Sequence, residues 1–151
     1  MASRRKGRIL AFQALYSWEA SGGEKTPGIP ENLMDFSWLE DKREKLDQGI
    51  ADFSRLLIAG TIENRKKVDA MIQAHLKNWD ISRLNRVDLA ILRMSVYTLM
   101  YQDDIPPSIV IDEAIGISKE YGADDSFRFV NGVLDSIRKT LQSERLGVSK
   151  A

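Results

Sequence analysis

The stretch SRLNRVDLAILRMSVYTLMY, residues Ser82–Tyr101, decides the fold of this 151-residue chain. Its apolar residues recur at helical spacing and occupy most sides of the helix that this spacing predicts. They are Leu84, Val87, Leu89, Ile91, Leu92, Met94, Val96 and Leu99. A helix that is apolar on most sides belongs in the centre of a bundle, where other helices cover it from several directions. We therefore expect a central helix here, with Ser82 as its N-cap.

Helical spacing also dominates the chain before this stretch. It predicts a first helix that is capped by Ser3 and stopped at residues 22–23, followed by a loop rich in Pro and Gly over residues 24–30. A long periodic region extends from residue 46 to about residue 79, and Gly60 is expected to divide it into two helices.

After the central stretch, Pro106-Pro107 prevents the helix from continuing. A further helix is expected to end at Gly122, and a last helix follows the capping residues 123–126. Its apolar pattern ends at Leu141, so the tail after Gln142 is expected to fray. The whole pattern predicts an all-α chain of about seven helices.

Composition restricts the functions that are open to this chain. It has 22 basic and 22 acidic residues and a pI near 6.6, which argues against general coating of nucleic acid and confines any polyanion site to a local patch. The absence of cysteine excludes disulfides, thiol nucleophiles and thiolate metal sites. The N-terminus does not resemble a signal peptide, and no apolar run reaches the roughly 18 residues of a membrane helix. We expect a cytoplasmic protein with no membrane partner.

Enzyme chemistry has little support in the sequence. His75 is the one histidine, and zinc sites need several His or Cys ligands. The acidic pairs at residues 103–104, 112–113 and 124–125 are adjacent in sequence, so on a helix they point apart and are better explained as helix-end residues. We find no phosphate loop, dinucleotide fingerprint or nucleophile elbow. The sequence therefore predicts no catalytic residue, no metal site and no cofactor.

The N-terminus, in contrast, has the composition of a nucleic-acid site. Its cations are Arg4, Arg5, Lys6 and Arg8. No acidic residue follows before Glu19. On a helix, Arg5, Arg8, Phe12 and Tyr16 share one face, with Gln13 at its flank. Single-stranded RNA binding uses this mixture of side chains: cations hold phosphates, a ring stacks on a base and an amide reads a base edge. The alternative is that Phe12 and Tyr16 belong to the core.

Two stretches also resemble a known family. They are FQALYSW, residues Phe12–Trp18, after the basic start, and IDEAIGISKEYGADDSFRFVNGVLD, residues Ile111–Asp135. Together with the segment between them that starts at NRVDLAILR, they resemble the bacterial transcription antitermination factors of the NusB family. The likeness extends from about Arg4 to Leu141. It implies a single NusB-like RNA-binding domain over 1–151, built from two small helical subdomains at about 1–80 and 81–142, with the tail at 143–151.

The resemblance implies a non-enzymatic function. Members of this family bind the boxA element of nascent RNA as a single strand, together with NusE, a ribosomal small-subunit protein. The pair joins an antitermination complex on RNA polymerase, mainly at ribosomal RNA operons. A homo-oligomer that forms through the partner surface is a further possibility for the unbound chain.

The resemblance also assigns roles to individual residues. The RNA-binding residues that it implies are Arg4, Arg5, Lys6, Arg8, Gln13, Tyr16, Asp125, Ser126, Arg128 and Phe129. The NusE-facing surface is expected to include Asp88 and Phe129, and an acid such as Asp88 suits a basic ribosomal partner.

Three residues invite a structural expectation of their own. Gly7 is expected to weaken the first helical turn. Gly132 is expected to permit close helix packing. Phe127 is expected to be buried, because helical spacing places it beside apolar residues of the same helix; if exposed, it would be an additional stacking ring.

Two alternatives keep the same fold. One is a NusB-like protein-interaction module without specific RNA binding, whose basic end is incidental. The other is a relative of the domain that is attached to ribosomal RNA cytosine methyltransferases. The stand-alone factor is favoured over the latter because these 151 residues contain no glycine-rich methyl-donor domain.

Overall fold

The computed structural model describes residues 4–25, 28–36, 38 and 47–150, with side chains described as far as residue 146. Within these ranges it has seven α-helices and no strand. They are α1 Arg4–Ala20, α2 Glu31–Met34, α3 Gln48–Glu63, α4 Arg65–Ala74, α5 Arg86–Tyr101, α6 Pro107–Tyr121 and α7 Ser126–Lys150. The prediction of an all-α chain with about seven helices is confirmed. The expected cap Ser3 lies outside the described residues.

Helix α5 occupies the centre of the bundle, as its apolar circumference predicts. It packs against α1, α3, α4, α6 and α7. Ile91, Leu92 and Val96 are 0% exposed, and one hydrophobic cluster contains residues from all seven helices. Because α5 contacts helices on both sides of residue 80, a single core joins them. The division into two subdomains at about residue 80 stays a prediction.

A buried charge network ties α5 to two other helices. The Arg93 guanidinium on α5 donates from Nε and Nη2 to the two carboxylate oxygens of Asp69 on α4, each at 2.9 Å. Its Nη1 donates to Glu19 Oε2 on α1 at 2.9 Å. Burial opposes the charge of Arg93, but the hydrogen bonds and charges of Asp69 and Glu19 outweigh burial and raise the pKa of Arg93. The network fixes α1, α4 and α5 relative to one another.

The start of α5 differs from the expectation. Ser82 lies in a short 3₁₀ turn, Ile81–Arg83, rather than at a helix cap. The N-cap of α5 is Asn85, whose Oδ1 accepts a hydrogen bond from the backbone N–H of Asp88 at 2.8 Å. The expectation for Ser82 was therefore wrong, because an asparagine three residues later satisfies the free N–H groups of the helix.

The boundary between α3 and α4 lies at Asn64 instead of Gly60. Gly60 is inside α3, and a Cβ at this position would overlap the Tyr97 ring of α5. Asn64 is the C-cap of α3, and its Nδ2 donates to the Gly60 carbonyl oxygen at 2.8 Å, beside the last backbone hydrogen bond from Asn64 N at 3.1 Å. Gly60 thus serves the close approach of two helices, and the expected break at Gly60 was wrong.

The C-terminal helices follow the sequence signals up to residue 142. The tail after Gln142, which was expected to fray, is helical instead. Pro107 is the first residue of α6, where a missing N–H costs nothing, and Gly122 is its C-cap. Helix α7 continues past Gln142 to Lys150. Arg145 attaches this extension to the end of α5, because its Nη2 donates to Leu99 O at 3.1 Å and to Asp103 Oδ1 at 2.7 Å. No described helix combines the length and the apolar composition that a bilayer span requires.

Candidate nucleic-acid interface

The first turn of α1 presents three cations to solvent, since Arg4, Arg5 and Lys6 are all exposed. Arg5 reaches across to α6, where its Nη2 lies 3.8 Å from Glu120 Oε2. Gly116 leaves room for this side chain, because a Cβ at Gly116 would lie 2.8 Å from Arg5 Nη2. The α1 cations are therefore part of a surface that extends onto α6.

Arg8 is in a different environment. It is 7% exposed, its guanidinium lies 5.4 Å from the centre of the Phe53 ring on α3, and its Nη1 is 4.0 Å from Glu113 Oε2 on α6. Burial lowers the pKa of Arg8, and the charge of Glu113 acts in the opposite direction. Arg8 thus packs between two neighbouring helices and does not share the exposed face with Arg5.

Phe12 also belongs to the interior. It is 3% exposed, and its ring centre lies 5.3 Å from that of Tyr121 at the end of α6. The expected exposed face of four side chains is therefore wrong for Arg8 and Phe12, because helices α3 and α6 cover this part of α1. The alternative placed both Phe12 and Tyr16 in the core; it is confirmed for Phe12 and wrong for Tyr16, which is 39% exposed.

Gly7 has a packing role. A Cβ at Gly7 would lie 2.7 Å from Phe53 Cδ2, so glycine is what allows the Phe53 ring to approach α1. The same ring lies 4.9 Å below the guanidinium of Arg4. The helix includes Gly7, and the contact with Phe53 offsets the weak helix propensity that the sequence indicated.

Tyr16 forms an aromatic pocket with residues that sequence reasoning did not select. It is 39% exposed and lines a cavity of about 340 Å³ together with Tyr121, which is 38% exposed, and Arg86. Gln13, one turn before Tyr16, is half-buried. No sequence signal links Tyr121 or Arg86 to Tyr16, because only the packing of α6 and α5 beside α1 brings these three side chains together.

At the start of α7, the four predicted RNA-binding residues separate into two groups. Asp125 and Arg128 are exposed, and Phe129 is half-buried against the core. Ser126 is 8% exposed, and its Oγ donates to Asp88 Oδ2 at 3.4 Å. Ser126 therefore joins α7 to α5 and does not face solvent.

Asp88 is buried as well, at 6% exposure. Its Oδ2 accepts from Asn85 Nδ2 at 3.0 Å in addition to Ser126, while Oδ1 is buried without a hydrogen-bond partner among the described residues. Burial raises the pKa of Asp88, and the two hydrogen bonds counteract part of this effect. In the free chain its carboxylate is thus directed at the start of α7 rather than presented to a partner.

Phe127 lies between two cations on the surface. Its ring centre is 4.9 Å from Lys119 Nζ and 5.5 Å from the Arg128 guanidinium. The side chain is only partly buried and does not belong to the hydrophobic core cluster. The expectation of burial was wrong, so the alternative of an additional stacking ring remains open.

The end of α6 joins these parts into one surface. Glu120 pairs with Arg5, Tyr121 lines the pocket of Tyr16, and Lys119 contacts Phe127. We define the basic–aromatic surface as the following exposed or partly exposed residues: Arg4, Arg5, Lys6, Tyr16, Arg86, Lys119, Tyr121, Phe127, Arg128 and Phe129. This mixture of cations and rings is suited to phosphates and nucleobases.

In the described part of the chain, no three His, Cys, Asp or Glu side chains are grouped so that they could hold a metal ion. His75 Nδ1 lies 2.7 Å from Ser136 Oγ, which places this histidine in a contact between the end of α4 and α7.

Comparisons with known proteins identify the family of the chain. The NusB family model matches residues 5–139. Transcription antitermination protein NusB of Treponema denticola is 52% identical over 135 residues, which are 89% of this chain and 95% of that protein. The protein of the same name from Treponema pallidum (strain Nichols) is 50% identical over 137 residues, or 91% of this chain and 93% of that protein.

Solved structures show the same fold. NusB of T. maritima is similar with a TM-score of 0.79 at 35% identity, covering 91% of this chain and 92% of that chain. A chain in a crystal structure of the antitermination factors NusB and NusE in complex with double-stranded RNA is similar with a TM-score of 0.77 at 27% identity. That match covers 91% of this chain and 96% of the other.

Proposed function

Because the chain belongs to the NusB family, we propose that it is a transcription antitermination factor that binds RNA together with NusE. The RNA is a boxA-type single strand, and the resulting complex acts with RNA polymerase at ribosomal RNA operons in the cytoplasm. The contribution of this chain is binding without catalysis.

The basic–aromatic surface is the observation that carries this proposal. A chain with 22 basic and 22 acidic residues has no overall attraction for RNA, so binding depends on a local concentration of cations beside rings. The first turn of α1 supplies three exposed cations, and Tyr121 at the end of α6 lines one cavity with Tyr16. A short RNA strand that follows this surface meets phosphate-binding and base-stacking groups in turn.

On α1, the residues have separate roles in this proposal. Arg4, Arg5 and Lys6 hold phosphates, and a phosphate at Arg5 takes the place of the exposed partner Glu120. Tyr16 stacks on a base, and Gln13 supplies an amide at its flank. Arg8 acts as a positioning residue, because it is packed between Phe53 and Glu113 and holds the basic turn against the bundle.

At the start of α7, Arg128 and Phe129 contribute to the basic–aromatic surface directly, and Ser126 positions them. The exposed Asp125 contacts the RNA beside this surface. Asp88 acts on the NusE side in the same indirect way, because it accepts the hydrogen bond from Ser126 and so fixes the first turn of α7. Phe129 is the partner-facing side chain, and in the absence of NusE it provides a surface for self-association. NusE and a second copy of the chain would then compete for one surface.

Titration of a fluorescent boxA-like RNA, with and without NusE and at several salt concentrations, tests the proposal. We expect tighter binding to this RNA than to a scrambled RNA of equal length, and a further gain when NusE is present. With Arg4, Arg5, Lys6 and Arg128 on phosphates, the slope of log K against log salt should approach about −3, at roughly −0.7 per phosphate on a single strand.

Equal and weak binding to both RNAs, unchanged by NusE, would refute the proposal. The result would then favour the protein-interaction module. The pairing of Arg5 with Glu120 and the burial of Arg8 would explain why the basic end does not bind RNA. Phe129→Ala tests the partner surface, since this variant should lose more affinity for NusE than for RNA measured with the chain alone.

A further inference from the structure

A second cleft adjoins the basic–aromatic surface, between the end of α4 and helix α7. It encloses about 420 Å³, within the range of about 300–1,000 Å³ that is usual for small-molecule sites. Its lining includes Trp79, Lys77, Arg128, Phe129 and Gly132. We call it the Trp79 cleft. Arg128 and Phe129 belong to both surfaces, so the cleft is continuous with the proposed RNA site.

Gly132 forms an open part of the cleft wall. A Cβ at this position would meet no atom within 4 Å, so the expectation that Gly132 permits close helix packing is wrong. A glycine in the interior of a helix weakens the helix relative to alanine, and here no contact between helices requires it. What the missing side chain does provide is open space beside Val133 and Phe129 in the cleft.

The other wall of the cleft is held in place by hydrogen bonds. Gln73 Nε2 donates to Trp79 O at 2.8 Å, and Gln73 Oε1 accepts from Ile81 N at 2.9 Å, so one side chain fixes the segment that carries Trp79. Asn78 adopts the left-handed conformation with φ of 61° that turns this segment. His75 Nδ1 lies 2.7 Å from Ser136 Oγ and connects the segment to α7. The cleft is therefore preorganised.

The chemistry of the lining favours a nucleotide. The Trp79 side chain is 55% exposed, which is unusual for so large an apolar ring, and Lys77 and Arg128 are both exposed. Among the described residues that line the cleft, none carries a carboxylate. Rings for base stacking next to cations for phosphates are what single-stranded RNA requires, whereas a basic protein segment would be repelled by the two cations.

We propose that the Trp79 cleft binds a further nucleotide of the same single-stranded RNA, with its base against the Trp79 ring and its phosphate at Lys77 and Arg128. The inference rests on the proposed function, because it extends the RNA path from the start of α7 towards the end of α4. It adds Trp79, Lys77 and Gly132 to the residues that determine RNA affinity.

Four variants of the full chain test this inference with the boxA-like RNA in the absence of NusE. Trp79→Ala should weaken binding about 5- to 100-fold, as expected for the loss of base stacking, and Trp79→Phe should retain most of the affinity. Gly132→Ala should weaken binding several-fold by filling the cleft, while its thermal unfolding temperature does not fall. Asn131→Ala is the matched control, because Asn131 is the adjacent exposed residue of α7 but lines a different groove, and its RNA affinity should not change.

The outcomes separate the inference from the proposed function. If the wild-type chain prefers the boxA-like RNA and all four variants bind it equally well, the cleft is not an RNA site although the proposed function stands. A separate titration of the same variants with NusE alone adds a further outcome. If Trp79→Ala and Gly132→Ala weaken NusE binding and leave RNA affinity unchanged, the cleft binds protein and the inference is overturned. If the wild-type chain does not distinguish boxA-like from scrambled RNA, the proposed function itself fails, and the inference fails with it.

Discussion

Arg5 and Arg8 lie about one turn apart on α1 and carry the same charge, yet they differ in what surrounds them. Arg5 has a side chain that is 44% exposed, with an exposed glutamate near its end. Arg8 is covered by Phe53 and lies beside Glu113. A surface cation is free to exchange its partner for a phosphate at little cost, whereas a buried guanidinium contributes mainly to packing.

Substitution of the two arginines should therefore affect different properties, RNA affinity for Arg5 and stability for Arg8. Arg5→Ala should weaken RNA binding several-fold and change the free energy of unfolding by less than about 0.5 kcal/mol. Arg8→Ala should lower the free energy of unfolding by about 1–3 kcal/mol, because it removes packing against Phe53 and leaves Glu113 without its cation. Urea denaturation and RNA titration of both variants check this. Equal loss of RNA affinity in two equally stable variants would show that Arg8 contacts RNA.

Asp88 illustrates how burial changes the behaviour of one carboxylate. Its pKa is raised by burial, so the folded chain binds a proton at Asp88 more readily than the unfolded chain does. Between the ordinary pKa of an aspartate and the higher folded value, the folded state binds more protons, and stability must fall as pH rises through this window.

Asp88→Asn removes this titration and retains an oxygen that can accept from Asn85 and Ser126. We expect the free energy of unfolding of the wild-type chain, relative to Asp88→Asn, to decrease as pH increases above about 4, the ordinary value for aspartate. Urea denaturation of both proteins at closely spaced pH values measures the difference. If the free energy of unfolding of the wild-type chain relative to Asp88→Asn increased with pH instead, the result would contradict the burial of Asp88.

At the scale of elements, the interior glycines Gly60 of α3 and Gly132 of α7 differ in what surrounds them. Gly60 allows α3 to approach α5, since a Cβ would overlap the Tyr97 ring. Gly132 on α7 has open space where a Cβ would be. Helix propensity favours alanine at both positions by a similar amount. The tertiary contact therefore decides whether a Gly→Ala substitution raises or lowers the free energy of unfolding.

The variants Gly60→Ala and Gly132→Ala test how the surroundings of each glycine affect the free energy of unfolding. Gly60→Ala should lower the free energy of unfolding by about 1–3 kcal/mol through overpacking against Tyr97. Gly132→Ala should raise it by about 0.5–1 kcal/mol through better helix propensity and a less flexible unfolded chain. Thermal and urea unfolding of the two variants provide the test. A loss of stability in Gly132→Ala would indicate a packing role for this glycine.

For the molecule as a whole, the Arg93 network replaces part of the apolar core with charge. The Arg93 side chain is 7% exposed, and its partners Asp69 and Glu19 come from two other helices. Removal of one member of a buried charge group leaves the others without compensation, which costs more than the group contributes as a whole.

Arg93→Leu should therefore destabilise the chain by up to about 3–5 kcal/mol, because Asp69 and Glu19, whose side chains are only 19% and 31% exposed, lose the guanidinium that pairs with them. Arg138→Ala is the matched control, since Arg138 pairs with Asp135 on the surface of one helix and its loss should cost less than about 1 kcal/mol. Urea denaturation compares the two. Similar small losses in both variants would mean that the Arg93 network is solvated and does not hold the helices together.

Local sequence patterns determined much of the fold. The apolar circumference of residues 86–101 predicted the central helix, and the stops at Pro106-Pro107 and Gly122 were correct because proline and glycine act on the backbone nearby. The cations of α1 were identifiable because no acidic residue is near them in sequence. Signals of this kind depend on neighbours within a few residues, which the sequence displays directly.

Only the tertiary structure decided which side chains are accessible and which surfaces are continuous. The burial of Arg8, Phe12 and Asp88 results from helices that are distant in sequence, and so does the meeting of Tyr16 with Tyr121. The open space at Gly132 beside Trp79 likewise depends on how α4 and α7 pack. Helical periodicity gives the direction of a side chain around its own axis, but the neighbour in that direction is set by packing between helices, and packing determines what an RNA strand can reach.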